Sequence, residues 1–79
     1  MELEKRSLET AIMEELIKDE EYVTVLMNNG FQMCGVITGH DSLVIVLFCD
    51  GKQNIIYKHS ILSITPMRLL RAGQPKTNH

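Results

Sequence analysis

At Tyr22 the apolar repeat of this chain switches from helical to alternating, and from there a turn signal recurs about every ten residues. Before the switch, Leu8, Ala11, Ile12, Leu16 and Ile17 recur at helical spacing. After it, Val23, Val25 and Met27 alternate with Thr24, Leu26 and Asn28, the pattern of a strand with one face buried. One amphipathic helix followed by short antiparallel strands is the arrangement this allows. With 79 residues there is room for a single small domain.

The pattern predicts a helix over 8–20. Ser7 is a good N-cap, and Glu9 suits the positive end of the helix dipole. Asp19, Glu20 and Glu21 sit at the other end, where cations are preferred. Strands are expected at about 22–28, 31–39, 42–49, 53–58 and 61–65. Asn29-Gly30 predicts a type I′ hairpin turn, with positive φ at both residues. Gly35, inside the second strand, marks a bend or bulge that lets one long strand serve two sheets. Gly39-His40-Asp41 and Asp50-Gly51 read as turns, Lys58-His59 as a pivot, and Pro66 as a stop. Residues 1–6 form an N-terminal arm and residues 67–79 a disordered basic tail. The expected class is mainly β with an N-terminal α-helix: a five-stranded, strongly bent antiparallel sheet closing into a small open barrel.

A core this small rarely supplies more than about 3–5 kcal/mol, so staples or partners are needed. Cys34 and Cys49 lack metal or redox spacing and lie in apolar runs, so two reduced, buried thiols are expected. Adding His40 and His59 gives no pair at ligand spacing, and no metal or other cofactor is expected. Self-association is then the natural source of stability, because a short bent sheet leaves open edges that identical subunits can pair into a ring. No serine, cysteine or carboxylate arrangement has the partners of a catalytic site, so no enzyme and no catalytic residue is expected. The charged start is followed by no apolar signal region, and no apolar run approaches a membrane span; a cytoplasmic protein without membrane contact is expected. Acidic side chains dominate residues 1–21, whereas residues 67–79 carry Arg68, Arg71 and Lys76 without an acid. The formal net charge of −2 argues against tight non-specific DNA binding, but not against single-stranded RNA held by local patches and stacking.

Tyr57-Lys58-His59-Ser60-Ile61 is the densest chemical signal. It sets a fixed cation beside a group that titrates near neutrality, between two apolar strands. Taken alone, the pair reads as an ordinary surface feature. Repeated around a ring of identical subunits it becomes an anion site.

Together with the helix, Asn29-Gly30-Phe31-Gln32, Gly35, Asp41 and Gly51-Lys52-Gln53, this segment resembles the bacterial Hfq family of Sm-like RNA chaperones, in its Gram-positive form. The resemblance covers roughly residues 7–66. It implies an Sm-like domain, a homohexameric ring, and post-transcriptional regulation and stress response through pairing of small regulatory RNAs with messages. It implies two RNA faces. Carried over, the proximal face for U-rich strands comprises Glu9, His40, Ser42, Leu43, Tyr57, Lys58 and His59, with Glu9 where the family commonly has a glutamine. The distal face for A-rich strands comprises Leu26, Asn29, Gly30, Phe31, Gln32 and Met33.

Several positions depart from the family pattern. Leu43 and Leu26 stand where aromatics commonly stack on bases, each such stack being worth about 1–3 kcal/mol. The rim reads Ile17-Lys18-Asp19-Glu20-Glu21 and should repel an RNA backbone. U-rich binding is therefore expected to suffer more than A-rich binding. The alternative is a divergent paralogue with weak RNA binding that acts as an interaction or modulating subunit.

Overall fold

The computed structural model describes residues 7–68 and Leu70. The helix α1 spans Leu8–Lys18, followed by strands β1 (Tyr22–Met27), β2 (Gln32–His40), β3 (Val44–Cys49), β4 (Lys52–Tyr57) and β5 (Ile61–Pro66). All pairings are antiparallel, and the sheet order is β4-β3-β2-β1-β5.

That order forces the sheet to curl. Flat, its outer strands would lie about 19 Å apart. Tyr57 and Ile61 are joined by three residues only, a reach of roughly 14 Å. Three irregularities supply the bend. A register shift between Ile37 and Gly39 leaves Thr38 as an extra residue opposite β3. A second shift lies at Leu26/Met27 against β5. At Gly35 the backbones of β2 and β3 approach so closely that a Cβ would fall 2.1 Å from the Phe48 carbonyl oxygen. Gly35 thus marks the bend, and the bulge sits three residues later.

Ser7 caps α1 by accepting from the Thr10 N–H at 3.2 Å. The helix ends two residues short of the expected boundary. Glu20 takes φ 52°, and the Glu20 and Glu21 N–H groups bond back to Ile17 and Leu16. Met13 and Leu16 are the buried helical residues. Leu8, at the start of the expected apolar stripe, remains exposed. Met13 and Leu16 close the core over Val23, Val25, Ile37, Ile45, Leu47 and Ile56. Each fully buried aliphatic chain contributes about 1.5–3 kcal/mol of transfer free energy.

The turns exchange the expected chemistry. In the Asn28–Gly30 loop only Gly30 has positive φ, at 90°. The Met27 carbonyl accepts from Gly30, the Phe31 carbonyl accepts from Met27, and Asn29 Oδ1 accepts from the Phe31 N–H. This is a type I turn with a glycine bulge rather than a type I′ turn. Positive φ at both residues occurs instead at Asp50-Gly51, with φ 54° and 74°.

Residues expected in a tail extend the fold. Leu70 joins the core at 9% exposure. Arg68 donates from Nε to Glu21 at 2.5 Å and from Nη2 to Asp19 at 3.2 Å. Two acids expected to repel RNA at the rim are therefore paired, and their carboxylates raise the proton affinity of the guanidinium. The rest of the expected tail, residue 69 and residues 71–79, lies outside the described residues, as does the arm over 1–6. Because the Glu21 side chain is only 8% exposed, Arg68→Ala should lower the thermal midpoint by several degrees, and Arg68→Lys should recover part of it. Thermal unfolding followed by circular dichroism tests both; an unchanged midpoint in Arg68→Ala rejects the pairing.

Among the described residues no helix is long and apolar enough to cross a membrane. Both cysteines are free; Cys34 is exposed, contrary to expectation, because it lies on the outer face of β2 beside Thr24.

Candidate functional site

β4 runs out at Tyr57, and Lys58–Ser60 make a single 3-10 turn before β5 begins. Two other turns pin it. The Lys58 N–H donates to the Leu43 carbonyl at 2.8 Å. Asn28 donates from its backbone N–H to the Ser60 carbonyl at 2.8 Å, and from Nδ2 to the His59 carbonyl at 2.9 Å. The turn signals expected at three separate places thus converge on one. Nothing in the alternating pattern marked Asn28 for this role; its position ahead of Asn29-Gly30 was the available signal.

The segment Asp41–Leu43 shapes the neighbouring wall. Asp41 Oδ1 accepts from the Leu43 and Val44 N–H groups at 2.8 and 2.9 Å. The Val44 bond, then the Leu43 bond, holds its carboxyl below the usual range. Its stabilising contribution is therefore present above the ordinary aspartate pKa and disappears as pH falls through the lowered value. This closed loop is why β3 starts at Val44 and leaves Ser42 and Leu43 outside the strand.

An open groove of about 730 Å³ lies between the turn and the helix. Leu8, Glu9, Ile12 and Met13 form one wall; Ser42, Leu43 and Ile45 form another; Lys58, His59, Ile61, Ser63 and Ile64 complete it. Of the residues assigned to a proximal face, the groove gathers Glu9, Ser42, Leu43, Lys58 and His59. Tyr57 lines no part of it, but its ring lies 5.8 Å from that of His59. His40 is also absent. It ends β2 half-buried, opposite Ile45, and its Nδ1 is buried without a hydrogen-bond partner; it belongs to the strand rather than to the turn expected at Gly39-His40-Asp41. The apolar helix wall was not anticipated as part of the site, because Leu8 and Ile12 read as core.

Within the groove, Lys58 Nζ lies 2.6 Å from Glu9 Oε2. No expectation from sequence paired these two residues.

A second concavity, about 460 Å³, gathers Phe31, Gln32 and Met33 with Tyr22, Cys34, Asp50, Lys52 and Asn54. Leu26, Asn29 and Gly30 do not line it, although Leu26 pairs directly with Gln32 in register. Phe31 and Tyr22 are both exposed there, at 61% and 52%. Among the described residues no cluster of three His, Cys, Asp or Glu side chains could hold a metal ion.

This chain is similar to known proteins over most of its length. Residues 8–71 match the family model described as Hfq protein. The protein named RNA-binding protein Hfq from Clostridium acetobutylicum is 44% identical over 59 residues, covering 75% of this chain and 73% of the relative. Its namesake from Ruminiclostridium cellulolyticum is 39% identical over 62 residues, covering 78% of each. A crystal structure at 1.55 Å of the pleiotropic translational regulator Hfq superposes with a TM-score of 0.74 at 41% identity, covering 75% of this chain and 98% of that one. A helix leading into a five-stranded bent sheet, with Tyr57-Lys58-His59 at the junction of its edges, and matches of this extent agree: the chain belongs to the Hfq family.

Proposed function

We propose that this chain is a cytoplasmic RNA chaperone that assembles into a hexameric ring and pairs small regulatory RNAs with messages. The observation that carries this reading is the Lys58–Ser60 turn, pinned from two sides at the point where the outer strands β4 and β5 meet. Among the described residues both strands lack a second partner within the sheet, and Ile55, Tyr57 and Leu62 are exposed along them. Strand pairing between copies would cover these side chains and repeat the turn around a central opening. The names of the relatives support RNA as the ligand.

The mechanism is physical rather than chemical. Lys58 and His59 supply donors for uracil and phosphate oxygens, and Ser42 a hydroxyl. On the other face, Phe31 offers a ring on which a base can stack, with Gln32 and Met33 beside it. Strands held on two faces of one ring have a raised effective concentration for annealing. Leu43 is exposed and aliphatic, so the U-rich face lacks a stacking platform at that position.

Lys58→Ala should weaken binding of a short U-rich RNA about tenfold, the low end for a charge-assisted contact, and make its salt dependence shallower. A-rich affinity should stay within about twofold. Fluorescence anisotropy with both oligomers at two salt concentrations measures this; equal losses on both would reject the two-face assignment. The exposed Leu43 favours a second reading, an interaction subunit that modulates a related ring. Absence of binding to either RNA would select it.

A further inference from the structure

Glu9 stands where an RNA anion would have to sit. Among the described residues lining the groove, Lys58 is the one fixed cation, and it already has a carboxylate 2.6 Å away. The carboxylate is well placed to stay. Glu9 lies in the first turn of α1, where the helix dipole favours negative charge, and the Ser7 cap fixes that turn. The two partners differ in access: the Lys58 side chain is 21% exposed and that of Glu9 56%. The ammonium is the enclosed member, and the displaceable carboxylate the open one.

We infer that Glu9 is an internal competitor for Lys58, an anion built into the groove that RNA must displace before a phosphate or uracil oxygen can reach the ammonium. This rests on the U-rich site proposed above and changes what Glu9 does there: it opposes the ligand instead of contacting it. Three consequences follow from the geometry. Binding gains less from Lys58 than a free lysine would give, because one ion pair is exchanged for another. The salt dependence is shallow, because fewer counterions are released when the cation is already neutralised. The remaining recognition shifts to contacts other than the ammonium, through Ser42 and the His59 ring.

An exposed ion pair is weak, so the competitor tunes the site without closing it. Glu9→Gln removes the charge and keeps the shape. It should tighten U-rich binding about two- to fivefold for each subunit contacted. An oligomer of six uridines lying across several subunits of a ring should gain more than about tenfold in all.

The experiment is anisotropy of labelled hexauridine against wild type, Glu9→Gln, Lys58→Ala and the double variant, each across a salt series. Glu14→Gln serves as the control for net charge, because Glu14 is exposed on the same helix and absent from the groove. Expected are tighter binding and a steeper salt slope for Glu9→Gln, loss of that gain in the Lys58→Ala background, and less than about twofold change for Glu14→Gln. Weaker or unchanged binding in Glu9→Gln overturns the inference, as does a gain that survives without Lys58 or is matched by Glu14→Gln. If Lys58→Ala weakens hexauridine binding while Glu9→Gln does nothing, this inference alone falls. If no variant binds hexauridine, the U-rich site falls with it.

Discussion

Gly35→Ala should leave the chain without a cooperative fold at room temperature. The added methyl would meet the Phe48 carbonyl oxygen at 2.1 Å and its carbonyl carbon at 3.0 Å. Both are backbone atoms of β3, so no rotamer change relieves the clash. β3 would have to move away from β2, carrying Ile45 and Leu47, both fully buried, out of the core. Overpacking of this kind costs on the order of 3 kcal/mol or more, comparable to the whole stability of a domain this size. Far-UV circular dichroism of the purified variant, melted beside the parent, is the measurement. A parent-like midpoint would show that the two strands can separate freely, against the close approach at Gly35.

The second large effect concerns assembly. Ile55 on β4 and Leu62 on β5 are 69% and 65% exposed, so the isolated fold has no need of them. Ile55→Asp with Leu62→Asp should therefore leave the helix and sheet intact, and Glu9, Lys58 and His59 in place. In a ring held by pairing of these strands, the same change buries two charges per junction without partners, which the junction cannot bear. Sedimentation equilibrium should find the parent at six times the chain mass and the double variant at one. Hexauridine binding should fall about a hundredfold or more, because separate subunits lose the multivalent hold. A variant that remains six-fold in mass would place the ring contacts elsewhere; a parent that is already monomeric would remove the ring.

Much of this architecture could be read from spacing alone. The helix start came from Ser7, and the strands from alternation that ends where glycine, asparagine or aspartate appears. What spacing could not give was the work done by side chains at element ends. Asp41 closes its own loop, so β3 begins at Val44, two residues after the start expected from the pattern. Glu20 accepts left-handed geometry that glycine usually takes, because the helix terminates through two backbone bonds there. Asn29-Gly30 carries the dipeptide of a type I′ turn, yet Asn29 bonds to Phe31 and the bulge form results.

For the site, the motif located Lys58 and His59 but said nothing of their neighbours. Local sequence holds no record of contacts across 49 positions. The Glu9–Lys58 pair and the Asp19–Arg68 pair are both of that kind. His40 shows the opposite limit. Next to a turn aspartate it looks solvated, but the last β2–β3 pairing, with Ile45, keeps it in the sheet.

The sheet order has a consequence for how the molecule comes together. β1–β2, β2–β3 and β3–β4 are hairpins that close over short loops, whereas β1 must wait for β5, roughly 40 residues away. Loop entropy makes that ladder the slow, late event. The bonds from Asn28 to His59 and Ser60 belong to the same closure. A chain that has emerged from the ribosome only as far as Tyr57 can hold three hairpins and still lack the groove. The groove and the second outer edge of the sheet are thus completed together at the end of folding, so a ring and an RNA site of the kind proposed would both have to wait for the whole chain.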